Sequence, residues 1–276
     1  MSERKKFGEA ELIQSLESIG SKLTKKLRIN LIGGCAMIFI AAKIATKDID
    51  VVLRSTEDVK LLVKAMSSVG FDHVKKLGKE YQTLGAWVIM ERADGMRFDI
   101  FDKQVCGALE ISDGMESRAK LYKNFGNLDV HLMSPEDIVL FKGITDREDD
   151  LDDMRILIER RINWDIVEKE CKSQRDGGKW ARAIAGKLLE LKETYGINSP
   201  IIRTMMDFGD MDLLESIFSK VIGSKKMMFK EIAIVIKDKS GYSGSWARKQ
   251  LNVLEGKKFL VKERAGKTNV YSLRKK

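Results

Sequence analysis

Residues 31–53, LIGGCAMIFIAAKIATKDIDVVL, constrain this chain more than any other stretch, because two glycines precede an apolar run and two alternating aspartates follow it. RINLIGG reads as a short strand entering a glycine turn, and CAMIFIAAKIA as a helix apolar on nearly every side, the pattern of an element covered by others. DIDVVL then sets Asp48 and Asp50 on one strand face and Ile49, Val51 and Leu53 on the other, as a half-buried strand requires. The apolar run is interrupted by Lys43 and is shorter than the ~20 residues that span a bilayer. It predicts a buried helix and no membrane contact.

Adjacent glycines let backbone N–H groups approach phosphate oxygens, so Gly33 and Gly34 are candidates for phosphate binding. The dipeptide alone discriminates little, since Gly177 and Gly178 form a second pair in what reads as a loop, RDGG. D-x-D also recurs at Asp150/Asp152 and Asp210/Asp212, where helical context predicts a solvated face. Asp48 and Asp50 differ in lying on a period-two strand, and Asp99, in RFDIF, adds a third carboxylate on another strand. Three carboxylates on adjoining strands are costly unless paired or metal-bound. Oxygen-only ligands suit Mg²⁺ or Mn²⁺, and such ions stabilise the attacking and leaving oxygens of phosphoryl transfer. Asp102, three residues from Asp99, is expected on the opposite strand face as a surface carboxylate.

Elsewhere, STEDVKLLVKAMSSVGF reads as a helix with Ser55 as its N-cap, and HVKKLGKEY, AWVIMER and MRFDIFD read as strands. From Ser134 the start signals of a helix agree: a serine cap, Pro135 at the first helical position, then Glu136 and Asp137. Helical patterns continue through WDIVEKECKSQ, KWARAIAGKLLELKETYG and MDLLESIFSKVIG. In the last fifty residues two short apolar stripes, through Phe229, Ile232, Ala233 and Ile236 and then Ala247, Leu251 and Leu254, precede two alternating basic strands. That is the order of a winged helix. The expected fold class is α+β, with a mixed sheet and helices over 1–133, a helical region over 134–222 and a C-terminal winged helix-turn-helix over 223–276.

Charge supports a polyanion-facing end. Residues 225–276 hold 15 Lys or Arg against 4 Asp or Glu, a net of +11, within a chain of net charge +9, so residues 1–224 carry −2. Such asymmetry points to nucleic acid as a partner. Arg248, Lys249 and Asn252 project away from the second apolar stripe, as groove-reading residues do, and Lys262, Arg264 and Lys267 of the hairpin are placed to follow phosphates. Winged helices also bind protein, which leaves a partner protein open. Cys35, Cys106 and Cys171 are too widely spaced for a disulfide framework or zinc site, and the amino-terminal residues lack a signal-peptide core, so the expected location is the cytoplasm. His73 and His131 are isolated.

The glycine pair, thirteen intervening residues, D-x-D on a strand and a single aspartate on a later strand resemble the nucleotidyltransferase superfamily of polymerase-beta-like fold. The resemblance covers roughly residues 25–160. It is closest to small prokaryotic nucleotidyltransferases of toxin–antitoxin or abortive-infection pairs, whose T-x-D-x-D is matched by Thr46, Asp48 and Asp50, and whose S-P-E-D…K…R…D…D segment is similar to residues 134–153. The resemblance implies that Gly33 and Gly34 hold nucleotide phosphates, that Asp48, Asp50 and Asp99 hold Mg²⁺ or Mn²⁺, that Asp99 helps activate the acceptor hydroxyl, and that Lys142 reaches the triphosphate. It also favours Asp150 or Asp153 approaching the nucleotide or fixing Lys142. Cys35 departs from the Ser, Thr or Ala that relatives often carry, and Lys43 and Lys47 stand near the place of a missing arginine.

The expected activity is therefore metal-dependent transfer of a nucleoside monophosphate from an NTP to an RNA end, a protein hydroxyl or a small molecule. The alternative is a DNA-binding transcriptional regulator or antitoxin whose first domain senses nucleotides or is inactive.

Overall fold

A computed structural model of the chain describes residues 4–74, 86–145, 147, 149–266 and 268–274. It divides into two compact units, Met1–Met205 and Met206–Lys276.

The first unit is built on a mixed sheet of seven strands in the order β3-β4-β5-β2-β1-β9-β8. These are β1 (Leu27–Ile32), β2 (Asp48–Leu53), β3 (Phe71–His73), β4 (Val88–Arg92), β5 (Arg97–Asp102), β8 (Lys120–Phe125) and β9 (Leu128–Leu132). A small pair, β6 (Gln104–Val105) with β7 (Leu109–Glu110), stands apart from it. Strand β1 runs antiparallel to β2 and parallel to β9, and β2 runs parallel to β5. Strand β2 lies between β1 and β5 and is packed by helices α2 (Gly33–Phe39) and α3 (Thr56–Ser67), and Ile49 through Leu53 are all buried. The alternation Asp-Ile-Asp is preserved there, but the strand is central rather than half-buried.

Helices α1 (Glu9–Gly20) and α3 (Thr56–Ser67) touch one another and lie against β8, β9, β2 and β5. The Ser55 cap of α3 accepts from the Asp58 N–H at 3.1 Å, and Val59, Leu62 and Met66 face inward. Helix α2 is Gly33–Phe39, shorter than the apolar run suggests. Ala41 takes a left-handed conformation, φ 54°, and the Arg160 guanidinium captures the Ile40 and Ala41 carbonyls, so the chain leaves the helix there. Ile44 beyond it is 92% exposed.

After α4 (Asp113–Arg118) and the β8–β9 hairpin, α5 (Pro135–Gly143) is capped by Ser134, which accepts from the Asp137 N–H at 3.2 Å. It is buried from Asp137 to Gly143 among α2, α6 (Asp150–Glu159), α7 (Trp164–Ser173) and α8 (Gly177–Tyr195). Gly177 and Gly178 open α8 and are buried rather than forming a loop. A side chain on Gly177 would press on the Cys171 carbonyl.

The second unit gathers part of α9 (Ile202–Ile222), α10 (Phe229–Ser240) and α11 (Gly244–Gly256) with a sheet ordered β10 (Met227–Met228), β12 (Thr268–Leu273), β11 (Leu260–Ala265). Phe218, Ile232, Ile236, Ala247, Leu251, Leu254 and Leu260 form its core. Ser243 caps α11 by accepting from the Trp246 N–H at 3.2 Å. Among the described residues no helix is long and apolar enough to cross a membrane. Residues 75–81 of the HVKKLGKEY segment lie outside the described residues; His73, its first residue, is the last of β3.

Candidate active site

Register builds one wall of a cleft. Ile32, the last residue of β1, is the partner of Asp50, and Asp50 is in turn the partner of Asp99 on β5. Gly33 follows immediately with φ 60°, and a side chain there would collide with the Asp50 carboxylate. A Cβ on Gly34 would lie 2.8 Å from the Thr46 hydroxyl oxygen, which itself donates to the Asp48 carbonyl at 2.9 Å. The two glycines are therefore needed to let the backbone lie directly on Thr46 and Asp50.

The three carboxylates differ in surroundings. Asp48 and Asp50 line the cleft, whereas Asp99 is withdrawn behind them with no exposure. Arg97, one pleat away on the same strand face, donates from Nε to Asp99 Oδ1 at 2.8 Å and lies 3.8 Å from Asp48 Oδ1. Arg4 Nη1 donates to that same Asp48 oxygen at 2.6 Å. The second Asp99 oxygen, Oδ2, is buried and accepts no hydrogen bond. Burial first, and then the neighbouring charges of Asp50 and Asp48, push the Asp99 carboxyl up to about 7, and burial raises Asp50 as well. Among the described residues no three acidic, histidine or cysteine side chains are gathered at metal-holding distances.

The opposite wall comes from α5, α6 and their connection. Lys142 Nζ lies 3.0 Å from Asp150 Oδ1 and 2.7 Å from Asp153 Oδ2. Lys43 Nζ sits 2.9 Å from both Asp153 oxygens. The Thr145 hydroxyl and the Arg147 N–H both donate to Asp150 Oδ2, at 2.6 and 3.0 Å. Burial alone would lower Lys142, but Asp150 and Asp153 outweigh it and hold the ammonium above its ordinary value. Asp150 and Asp153 are thus buried pairing groups that fix Lys142, while Asp152, between them, faces solvent and accepts from the Tyr195 hydroxyl at 2.9 Å. The cleft between the walls encloses about 270 Å³ and is lined by Gly33, Gly34, Asp48, Asp50, Lys142 and Arg147 among others.

Other expected residues lie elsewhere. Cys35 is fully buried, so its thiol does not face the cleft. Asp102 faces away from the site as its spacing predicts, but it is half-buried and accepts from the Thr56 hydroxyl at 2.5 Å rather than standing on the surface. In the second unit Lys249, Asn252 and Arg264 are exposed, Arg248 lies over the Phe229 ring at 3.9 Å, and Lys262 is 3.6 Å from Glu255. Lys267 lies outside the described residues.

Arg97, Lys6 and Arg4 are charged neighbours that nothing in the sequence motifs singles out, and Arg147 enters only as the arginine of the S-P-E-D…K…R…D…D segment, with no role assigned. Arg97 carried a signal, since i and i+2 on a strand share a face. Arg4 carried none, because its position depends on a bridge between Phe7 and Thr46, whose backbones exchange hydrogen bonds of 2.8 and 3.0 Å.

No curated protein matches the chain. Residues 10–180, which hold both walls of the cleft except for the segment carrying Arg4 and Lys6, match the family described as "Nucleotidyltransferase of unknown function (DUF6036)". With more than half of its length matched, the chain belongs to that nucleotidyltransferase family.

Proposed function

We propose that the chain is a metal-dependent nucleotidyltransferase that moves a nucleoside monophosphate from an NTP to an acceptor hydroxyl. The observation that carries this reading is the facing of two walls across one cleft: glycines lying on Thr46 and Asp50 beside the Asp48 and Asp50 carboxylates, opposite Lys142 and Arg147.

The donor set fits a hard cation in kind. It is all oxygen, it includes a buried Asp99 oxygen that no proton donor satisfies, and two of its carboxyls, Asp99 and Asp50, are raised first by burial and then by neighbouring carboxylate charge. Asp48, Asp50 and Asp99 would hold Mg²⁺ or Mn²⁺, which supplies charge neutralisation at the α-phosphate. Gly33 and Gly34 admit the phosphates close to the backbone, and Lys142 faces the triphosphate while its two aspartates keep it charged. The acceptor oxygen forms a bond to the α-phosphorus, the bond to pyrophosphate breaks, and the hydroxyl proton passes to the carboxylate cluster that Asp99 completes behind Asp48 and Asp50. An RNA end, a protein hydroxyl and a small molecule are all acceptors that this chemistry serves.

The second unit is read as a winged helix that binds nucleic acid. Arg248, Lys249 and Asn252 would enter the groove, with Lys262, Arg264 and Lys267 along the phosphates. The +11 charge of residues 225–276 also suits a second reading, a DNA-binding regulator or antitoxin with a nucleotide-sensing first unit.

Incubation with each α-labelled NTP and Mg²⁺ or Mn²⁺, with total RNA and cell extract as acceptors, tests the two readings. Transfer of label by the wild type and none by Asp48→Ala/Asp50→Ala is the expected result. Absence of transfer to any acceptor, together with tight salt-dependent binding to duplex DNA, would replace the enzyme by the regulator.

A further inference from the structure

The segment ahead of α1 contributes Lys6 to the cleft lining, yet it lies outside the residues that match the family. Phe7 is buried, 1% exposed, and its backbone is paired on both sides with Thr46, the residue against which Gly34 packs. A residue anchored in this way fixes its neighbours. Lys6 lines the cleft, and Arg4 reaches Asp48 Oδ1 at 2.6 Å while its other nitrogen donates to the Lys47 carbonyl at 3.5 Å.

These two cations differ from Lys142 and Lys43 across the cleft. Lys142 and Lys43 are each committed to buried carboxylates of α6. Lys6 is exposed and makes no ion pair among the described residues. The Arg4 side chain is 30% exposed, so it stands at the rim, where exchanging one oxygen partner for another costs little desolvation. One of its partners is a carboxylate, Asp48, that the proposed reaction assigns to a divalent ion. When such an ion arrives with a nucleotide, Asp48 no longer needs Arg4, and the guanidinium is left beside the incoming phosphates, which suit its bidentate fork.

Resting on the nucleotidyltransferase reading, we propose that Arg4 and Lys6 are triphosphate-binding residues of the nucleotide site, supplied by the amino-terminal segment, and that Arg4 is the resident counter-ion of Asp48 until a metal-bound nucleotide displaces it.

The test is equilibrium binding, on the full chain, of the four α,β-methylene nucleoside triphosphates with Mg²⁺, and separately of Mn²⁺ alone by its paramagnetic signal. Lys6→Ala and Arg4→Ala should each weaken binding of the accepted analogue about tenfold, and Arg4→Lys should restore most of the loss. Mn²⁺ alone should bind Arg4→Ala more tightly than wild type, because a competing cation has been removed. A merely structural role for Arg4 would weaken Mn²⁺ and analogue together, and that result overturns its part of the proposal. Analogue binding unchanged in both variants, with the wild type binding well, overturns the segment's role and leaves the nucleotidyltransferase reading standing. Failure of the wild type to bind any analogue sinks both.

Discussion

The cleft of the first unit and the basic surface of the second handle charge in opposite ways. In the first unit charges are paired against one another: Lys142 between Asp150 and Asp153 and Arg97 on Asp99 at the cleft, and elsewhere Arg118 between Asp137 and Glu170 at 2.7 Å each. In the second unit Lys249, Arg264 and most of their basic neighbours stand in water around a small apolar core. Buried pairs fix geometry, and each partner becomes a liability if the other is lost. Exposed cations contribute little to folding but attract a polyanion from a distance, in proportion to their number and inversely with salt.

The largest effect should come from breaking a buried pairing group. Lys142→Ala leaves Asp150 and Asp153 without their main cation, and its loss should cost about 3–5 kcal/mol of stability in denaturant unfolding. A milder result would mean that Lys43 takes over both aspartates. Next is pH dependence in the chelator-treated protein. Between about 4, where an unfolded aspartate ionises, and the folded Asp99 value of about 7, the folded chain keeps a proton that the unfolded chain has lost. Stability should therefore fall as pH rises through that window and level off above it, and Asp99→Asn should flatten the slope. Asp50, raised in the same direction, adds to it.

Gly34→Ala, whose methyl would sit 2.8 Å from the Thr46 hydroxyl, should cost about 1–3 kcal/mol of stability and displace Thr46 from Asp48. Unchanged melting would show that Thr46 can move aside freely. The smallest effect belongs to the second unit. Arg264→Ala should leave the unfolding midpoint in place and lower the salt slope of nucleic-acid binding by about one. A shift in that midpoint would show that the basic surface shares the first unit's logic after all.

Much of the cleft was legible from short-range rules. Asp48 and Asp50 follow from strand alternation, the helix beginning at Pro135 from its serine cap, and the inward stripes of the last two helices from their spacing. What escaped depends on pairing between distant parts of the chain. The early end of α2 is set by Arg160, over a hundred residues away, and apolar periodicity alone carries on through it. The acidic run after Thr145 reads locally as a solvated face; the family resemblance points to Asp150 or Asp153 fixing Lys142, as found, but nothing points to Lys43 joining Asp153. Gly177 is a different case: it looks like a loop glycine, but the tight turn joining α7 to α8 presses it on the Cys171 carbonyl six residues back.

The register that puts Asp50 between Ile32 and Asp99 ties the reading frame of the sheet to the chemistry of the cleft. A single residue inserted into or deleted from β2 would not merely shift the aspartates along the strand. It would turn them through the sheet toward α3, and present Ile49 and Val51 to the glycines instead. Evolution can therefore vary the length of the loops on either side of this strand, but within it length is as tightly constrained as identity.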